Sequence, residues 1–168
     1  MNTRRKKLFR IFTACIPAMT LEKDINQPKF RNEHQKAAIN LIYTFNWMNE
    51  KIDRIFEQFD ITQQQFNILR ILRGAGEPLS TLQIRQRMLD KMSDTSRIVD
   101  RLIKKGMVKK NTCRADRRLV DIIITTKGKK LLEKLDNRSD EMDAIFQSLN
   151  EEDAKSLNQL LDKIRNSG

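Results

Sequence analysis

Cysteine, histidine, proline and glycine are all scarce in this chain of 168 residues. Two cysteines, Cys15 and Cys113, cannot build a disulfide framework, so a small secreted scaffold held by cross-links is excluded. A single histidine, His34, removes most histidine-based metal sites and catalytic triads. Five glycines and three prolines are too few for a collagen-like or Pro/Gly-rich disordered chain. No apolar run reaches the roughly 18 residues that a membrane-spanning helix needs. The carboxylates are scattered, and Glu151-Glu152-Asp153 is explained as the acidic first turn of a helix. Nucleophile, base and stabiliser do not converge anywhere, so no enzyme and no cofactor are expected.

Positive charge is what the chain has in excess: 33 Lys and Arg against 22 Asp and Glu, a formal charge of +11. It is not evenly spread. Residues 70–118 hold 14 basic and 5 acidic residues, and residues 1–10 hold five basic and no acidic ones. A basic block inside a foldable segment points to a polyanionic partner. The first 18 residues, MNTRRKKLFRIFTACIPA, have the order of a secretory signal. Arg10 interrupts their apolar stretch, however, and no small-x-small cleavage site follows, so a cytoplasmic protein is expected. Residues 1–28 are expected to form a flexible basic arm, with Met19 a second possible start and residues 1–18 dispensable for folding.

Ala38, Leu41, Phe45, Met48, Ile52, Ile55 and Phe59 recur at steps of three and four, which predicts one long helix within 29–60. Ile39, Ile42, Trp47 and Phe56 widen its apolar stripe. Thr62 with Gln65, and Ser80 with Gln83, are capping-box pairs opening two further helices. Leu79, Leu82, Met88 and Leu89 are the expected apolar side of the second. Ser93 and Asp94 start a third helix, which turns Ile98, Val99, Leu102 and Ile103 inward and ends at Lys104-Lys105-Gly106. Residues 107–113 and 119–125 are rich in β-branched residues and flank a polar tip, which reads as a hairpin. A helix from Thr125 or Thr126 to Leu149 follows, then a last one restarted at Asn150.

Three short helices and a hairpin form the layout of a winged helix-turn-helix over 61–126. The expected fold is therefore mainly α with a small β-hairpin wing. Helices at 29–60 and 127–168 carry more apolar stripe than one such module covers, which predicts pairing in a homodimer. The third helix suits a major groove, and a basic hairpin tip suits the adjoining minor groove. Ser93, Thr95, Ser96 and Arg97 are the candidates to read or position that groove. Arg101, Lys104, Lys109 and Lys110 are candidates for backbone contacts, and Arg114, Arg117 and Arg118 for the wing tip. Asp100 and Asp116 are the acidic candidates to orient the wing, with an Asp100–Arg118 ion pair expected. The competing reading is a basic protein that binds RNA or a membrane surface through its first 18 residues.

Three stretches make the resemblance specific: SRIVDRLIKKGMVKK (96–110), ADRRLVDIIIT (115–125) and TTKGKKLL (125–132). Together they resemble the MarR family of bacterial transcription regulators, a resemblance that extends over about 30–165; a winged-helix regulator of another family, distinguished by how it dimerises, is the further alternative. Gln83-Ile84-Arg85 departs from an acidic-apolar-Ala run often found there, and Ile124 from the usual Leu; neither removes an apolar position. The resemblance implies a homodimer on double-stranded DNA at a pseudopalindromic operator. It also implies a small, often phenolic or anionic effector where dimer arms meet the DNA-binding lobes; His34, Tyr43, Trp47 and Phe66 are the candidate contacts. Some members sense oxidants. Cys113 stands beside Arg114, a cation that favours a thiolate, but is read as an inert thiol.

Overall fold

The computed structural model describes residues 20–112 and 120–166. They fall into two compact units, one ending at Trp47 and one starting at Met48. The first holds a single helical turn, α1 (Leu21–Asp24), and the start of α2 (Glu33–Glu57), which continues into the second. The turn α1 lies in the stretch expected to be a flexible arm. It is held to α2 by a Glu22–Lys36 ion pair of 2.5 Å. That contact pairs residues too far apart in sequence for a local pattern to reveal it.

The second unit continues with α3 (Gln63–Ala75), β1 (Leu79–Ser80), α4 (Thr81–Arg87) and α5 (Thr95–Lys104). The hairpin strands β2 (Val108–Thr112) and β3 (Val120–Ile124) follow, then α6 (Thr126–Asp136), α7 (Ser139–Asp143), a 3-10 turn at Ala144–Phe146 and α8 (Glu151–Arg165). The expected capping boxes form. Thr62 and Ser80 accept from the backbone N–H groups of Gln65 and Gln83, whose side chains return the bond, and Asn150 and Asp153 do the same for α8. Gly76 and Gly106, at φ 69° and 68°, end α3 and the turn after α5 in the left-handed region.

Four expectations need correction. The helix predicted across 126–149 is broken after Asp136, where Asn137 and Arg138 turn the chain before α7. Its apolar spacing persists across the break, which is why periodicity alone reads it as continuous. The cap of α5 is Asp94, not Ser93: Asp94 Oδ1 accepts from Arg97 N at 3.2 Å, while Ser93 Oγ donates to Asp90 O at 2.8 Å. Around α4 the buried residues are Leu79, Ile84 and Met88, whereas Leu82 and Leu89 are exposed. Finally, β1 adds a third strand, pairing Leu79 with Ile122 in a sheet ordered β1-β3-β2. Two residues are too short a run to show alternation.

The core of this unit is one cluster: Ile68, Leu69 and Leu72 from α3, Ile84 from α4, Val99 and Leu102 from α5, Val108 and Ile122 from the sheet, and Leu132 and Leu135 from α6. It fixes α5 against α3 and α4, so only one face of α5 is left outward. A bidentate pair, Arg73 Nη1 to Asp136 Oδ2 at 2.5 Å and Nη2 to Oδ1 at 3.1 Å, ties the end of α3 to the end of α6. The Arg73 guanidinium holds the Asp136 carboxyl below its ordinary 3.8. A lowered native value stabilises the fold above the ordinary carboxylate range, and this support is lost as pH falls through the native value. Both side chains are substantially exposed, so Asp136→Asn should cost at most about 1 kcal/mol at neutral pH. The difference from wild type should fade below about pH 4 in urea-unfolding midpoints.

Candidate nucleic-acid interface

The candidate interface is built on α5. Burying Ile98, Val99 and Leu102 leaves Ser96, Arg97, Asp100, Arg101 and Lys104 on the exposed side. The turn that delivers the helix is organised by Asp90. Its Oδ1 accepts from Met92 N at 3.0 Å, its Oδ2 from Gln64 Nε2 of α3 at 3.3 Å, and its carbonyl from the Ser93 hydroxyl. The start of α5 is therefore held by both the preceding turn and α3.

β2 adds Lys109 and Lys110, both exposed, opposite Ile123 and Ile122 of β3. Lys110 Nζ lies 3.9 Å from Asp100 Oδ1, so this acid of α5 faces the strand. The expected partner of Asp100 was Arg118. Arg118, together with Arg114, Arg117, Asp116 and Cys113, lies outside the described residues.

Of the groove candidates, Ser96 and Arg97 are exposed and Ser93 is half-buried. Thr95 departs from the expectation. It is 3% exposed, and its Oγ1 is buried with no hydrogen-bond partner among the described residues. As the first residue of α5 it faces back toward the domain, so its side chain is not on the exposed stripe.

A concave surface joins the start of α4 to the start of α5, lined by Thr81, Leu82, Arg85, Met92 and residues 93–96. Arg85 belongs to the same basic neighbourhood and was not among the candidates. Its place one turn after the Ser80 cap, on the exposed side of α4, is the signal that marks it. Exposed Leu82 and Met92 border the same hollow.

The effector candidates divide between the units. His34, Tyr43 and Trp47 are exposed residues of α2 in the first. Phe66, in the second, is half-buried, with its ring centroid 4.8 Å from that of Phe56 and the Arg70 guanidinium 5.9 Å from its face. Among the described residues there is no group of metal-ligating side chains, and no helix is long and apolar enough to cross a membrane.

Comparison with known proteins gives a consistent set of relatives. The family model described as the MarR family matches residues 59–119. The transcriptional regulator MgrA of Staphylococcus aureus is 27% identical over 112 residues, 67% of this chain and 75% of MgrA. The crystal structure of a MarR transcription factor from Planctomyces limnophilus is 30% identical, with a TM-score of 0.62 over 83% of this chain and 100% of that one. E. coli MarR in complex with operator DNA superposes with a TM-score of 0.71 at 22% identity, over 81% of this chain and 98% of that one. Bordetella bronchiseptica BpsR, whose DNA binding is regulated by 6-hydroxynicotinic acid, gives 0.68 at 20% identity, over 77% and 98%. At these lower identities the likeness is one of fold.

Proposed function

The chain belongs to the MarR family of transcription regulators, and from that premise we propose that it is a ligand-responsive homodimer that binds a pseudopalindromic operator in double-stranded DNA. The observation that carries this reading is the two-sidedness of α5. Its apolar side is locked into the core, and its other side presents Ser96, Arg97, Arg101 and Lys104 beside the lysines of β2. Such a helix, held rigidly and cationic outward, suits a major groove about 12 Å wide. Ser96 and Arg97 face base edges. Arg101, Lys104, Lys109, Lys110 and Arg85 neutralise phosphates. The sequence adds Arg114, Arg117 and Arg118 of the wing tip, beside Asp116.

Uncovered apolar side chains support the dimer. In the first unit α2 exposes Leu41, Ile42, Phe45 and Trp47; in the second, Phe146 and the α8 residues Leu157, Leu160 and Ile164 are exposed. Patches of this kind mark association surfaces. We assign 29–60 and 127–168 to dimerisation and 61–126 to DNA binding. Two-fold pairing places the two α5 helices in successive major grooves, about 34–36 Å apart. Regulation of BpsR by a small aromatic acid supports an effector here, with His34, Tyr43, Trp47 and Phe66 as the residues to probe. We assign the protein no enzymatic step and place it in the cytoplasm.

Deleting residues 1–18 separates this function from binding of RNA or a membrane surface by the basic tail. The shortened chain should fold with unchanged helicity and keep its sequence preference in duplex-DNA gel shifts, losing less than about tenfold in affinity, as the tail's few phosphate contacts act without regard to sequence. Loss of all selective duplex binding would transfer the function to the tail.

A further inference from the structure

The carboxylate that caps α5 meets one residue at two places, backbone and side chain. Asp94 Oδ1 accepts the backbone N–H of Arg97 at 3.2 Å, and Asp94 Oδ2 is ion-paired with Arg97 Nε at 3.0 Å. The Arg97 side chain is 82% exposed. The carboxylate thus lies beside Nε as an ion pair rather than a hydrogen bond, and Nη1 and Nη2 are left without a hydrogen-bond partner among the described residues. This pair of donors matches the O6 and N7 acceptors that guanine shows in the major groove.

We propose that Asp94 is a positioning residue that pre-orients Arg97 to read one guanine in each half-site. The inference rests on the DNA-binding function above and adds the base that is read and the group that sets its reader. An acid at this point has a cost, because it repels phosphate on every duplex. Capping does not require it, since Asn and Ser cap a helix about as well. What Asp adds is a charge fixed on Arg97. The other acid of this face, Asp100, lies 3.9 Å from Lys110 and serves a different cation. Arg101 and Lys104 have no ion pair among the described residues, as suits phosphate contacts that do not discriminate between bases.

The test begins by selecting the preferred duplex from random DNA with the full chain. Affinities are then measured by fluorescence anisotropy for that duplex and for versions in which each G·C pair of both half-sites is changed to A·T. The wild type should discriminate at one G·C pair per half-site by about 5- to 150-fold. Asp94→Asn keeps the cap but not the charge. It should reduce discrimination at that pair to about threefold or less, with affinity for the other duplexes equal or higher, because a negative charge has left the face. Arg97→Ala should abolish discrimination at the same pair, and adding Asp94→Asn should change it no further. If Asp94→Asn lowers the thermal midpoint, Asp94→Ser provides a second cap without charge.

Three results would overturn the proposal: full discrimination retained by Asp94→Asn; discrimination lost at a pair that Arg97→Ala leaves intact, which would make Asp94 itself the reader; or a uniform loss over all duplexes together with lost helicity, which would make it a cap alone. A wild type that selects no duplex would instead remove the DNA-binding function itself.

Discussion

Gly128→Ala is expected to destabilise the second unit by about 3 kcal/mol, although alanine is the better helix former by about 1 kcal/mol. A Cβ at Gly128 would sit 2.4 Å from the carbonyl oxygen of Met107 and 2.8 Å from Ile124 Cγ1. The first of these neighbours is backbone and cannot rotate away, so α6 must move off the hairpin. That shift also strains the Thr125 hydroxyl, which donates to Gly106 O at 2.8 Å or Met107 O at 3.0 Å and accepts from Gly128 N at 3.2 Å. Thr125 and Gly128 act together, the hydroxyl fastening α6 to the turn after α5 and the missing side chain allowing the approach. Gly74 is the internal control. It lies in α3, and a Cβ there would meet nothing within 4 Å. Gly74→Ala should therefore stabilise by about 0.4–1 kcal/mol. Opposite signs for the same chemical change, read from urea midpoints, would confirm that close approach governs Gly128. A neutral Gly128→Ala would contradict it.

The second large effect is on salt dependence. On the proposed function, about three to five phosphate contacts per lobe, drawn from Arg85, Arg101, Lys104, Lys109, Lys110, Arg114, Arg117 and Arg118, would amount to about 6–10 in a dimer. Raising the salt from about 50 to 200 mM should then weaken operator binding by about 10³ to 10⁵. The slope is also a count of subunits. Lys104→Ala removes one cation from each lobe, so the slope of log K against log salt should fall by about 2 for a dimer but only about 1 for a monomer. The effect should be similar on operator and unrelated duplexes, which separates Lys104 from Arg97. A slope near zero would mean that these cations do not meet the backbone.

The order of elements was legible because its signals are local. Capping boxes place an acceptor and its donor within three residues, and the apolar pattern marks the buried side of α3 and α5; along α2 the same spacing predicts the helix but runs through residues that stay exposed, Leu41 and Phe45 among them. What escaped the sequence depends on distant partners. Leu82 and Leu89 have the composition of core residues, but the packing of α4 gives that place to Ile84. The strand β1 exists only because β3 offers it a free edge. The turn at Asn137 and Arg138 interrupts a helix whose spacing gives no warning. Arg138 is drawn there by Gln58 Oε1, 2.5 Å from its Nη1, and by an ion pair with Glu141, with its guanidinium 5.6 Å from the ring centroid of Phe59. At the candidate interface, residue types identified the exposed cations. They did not separate Thr95, turned inward, from Ser96, turned outward, because the two differ only in where the start of α5 meets the core.

The measurement that tests the account most directly is selection of bound fragments from random duplex DNA, performed with the wild type and with an Arg97→Ala, Arg118→Ala double variant. A dimer gripping adjacent grooves should return a palindromic consensus from the wild type, its half-sites about 10 base pairs apart between centres. The variant should still retain DNA at low salt but return no consensus. The same consensus from both proteins would contradict the account, because the sequence would then be read elsewhere on the molecule.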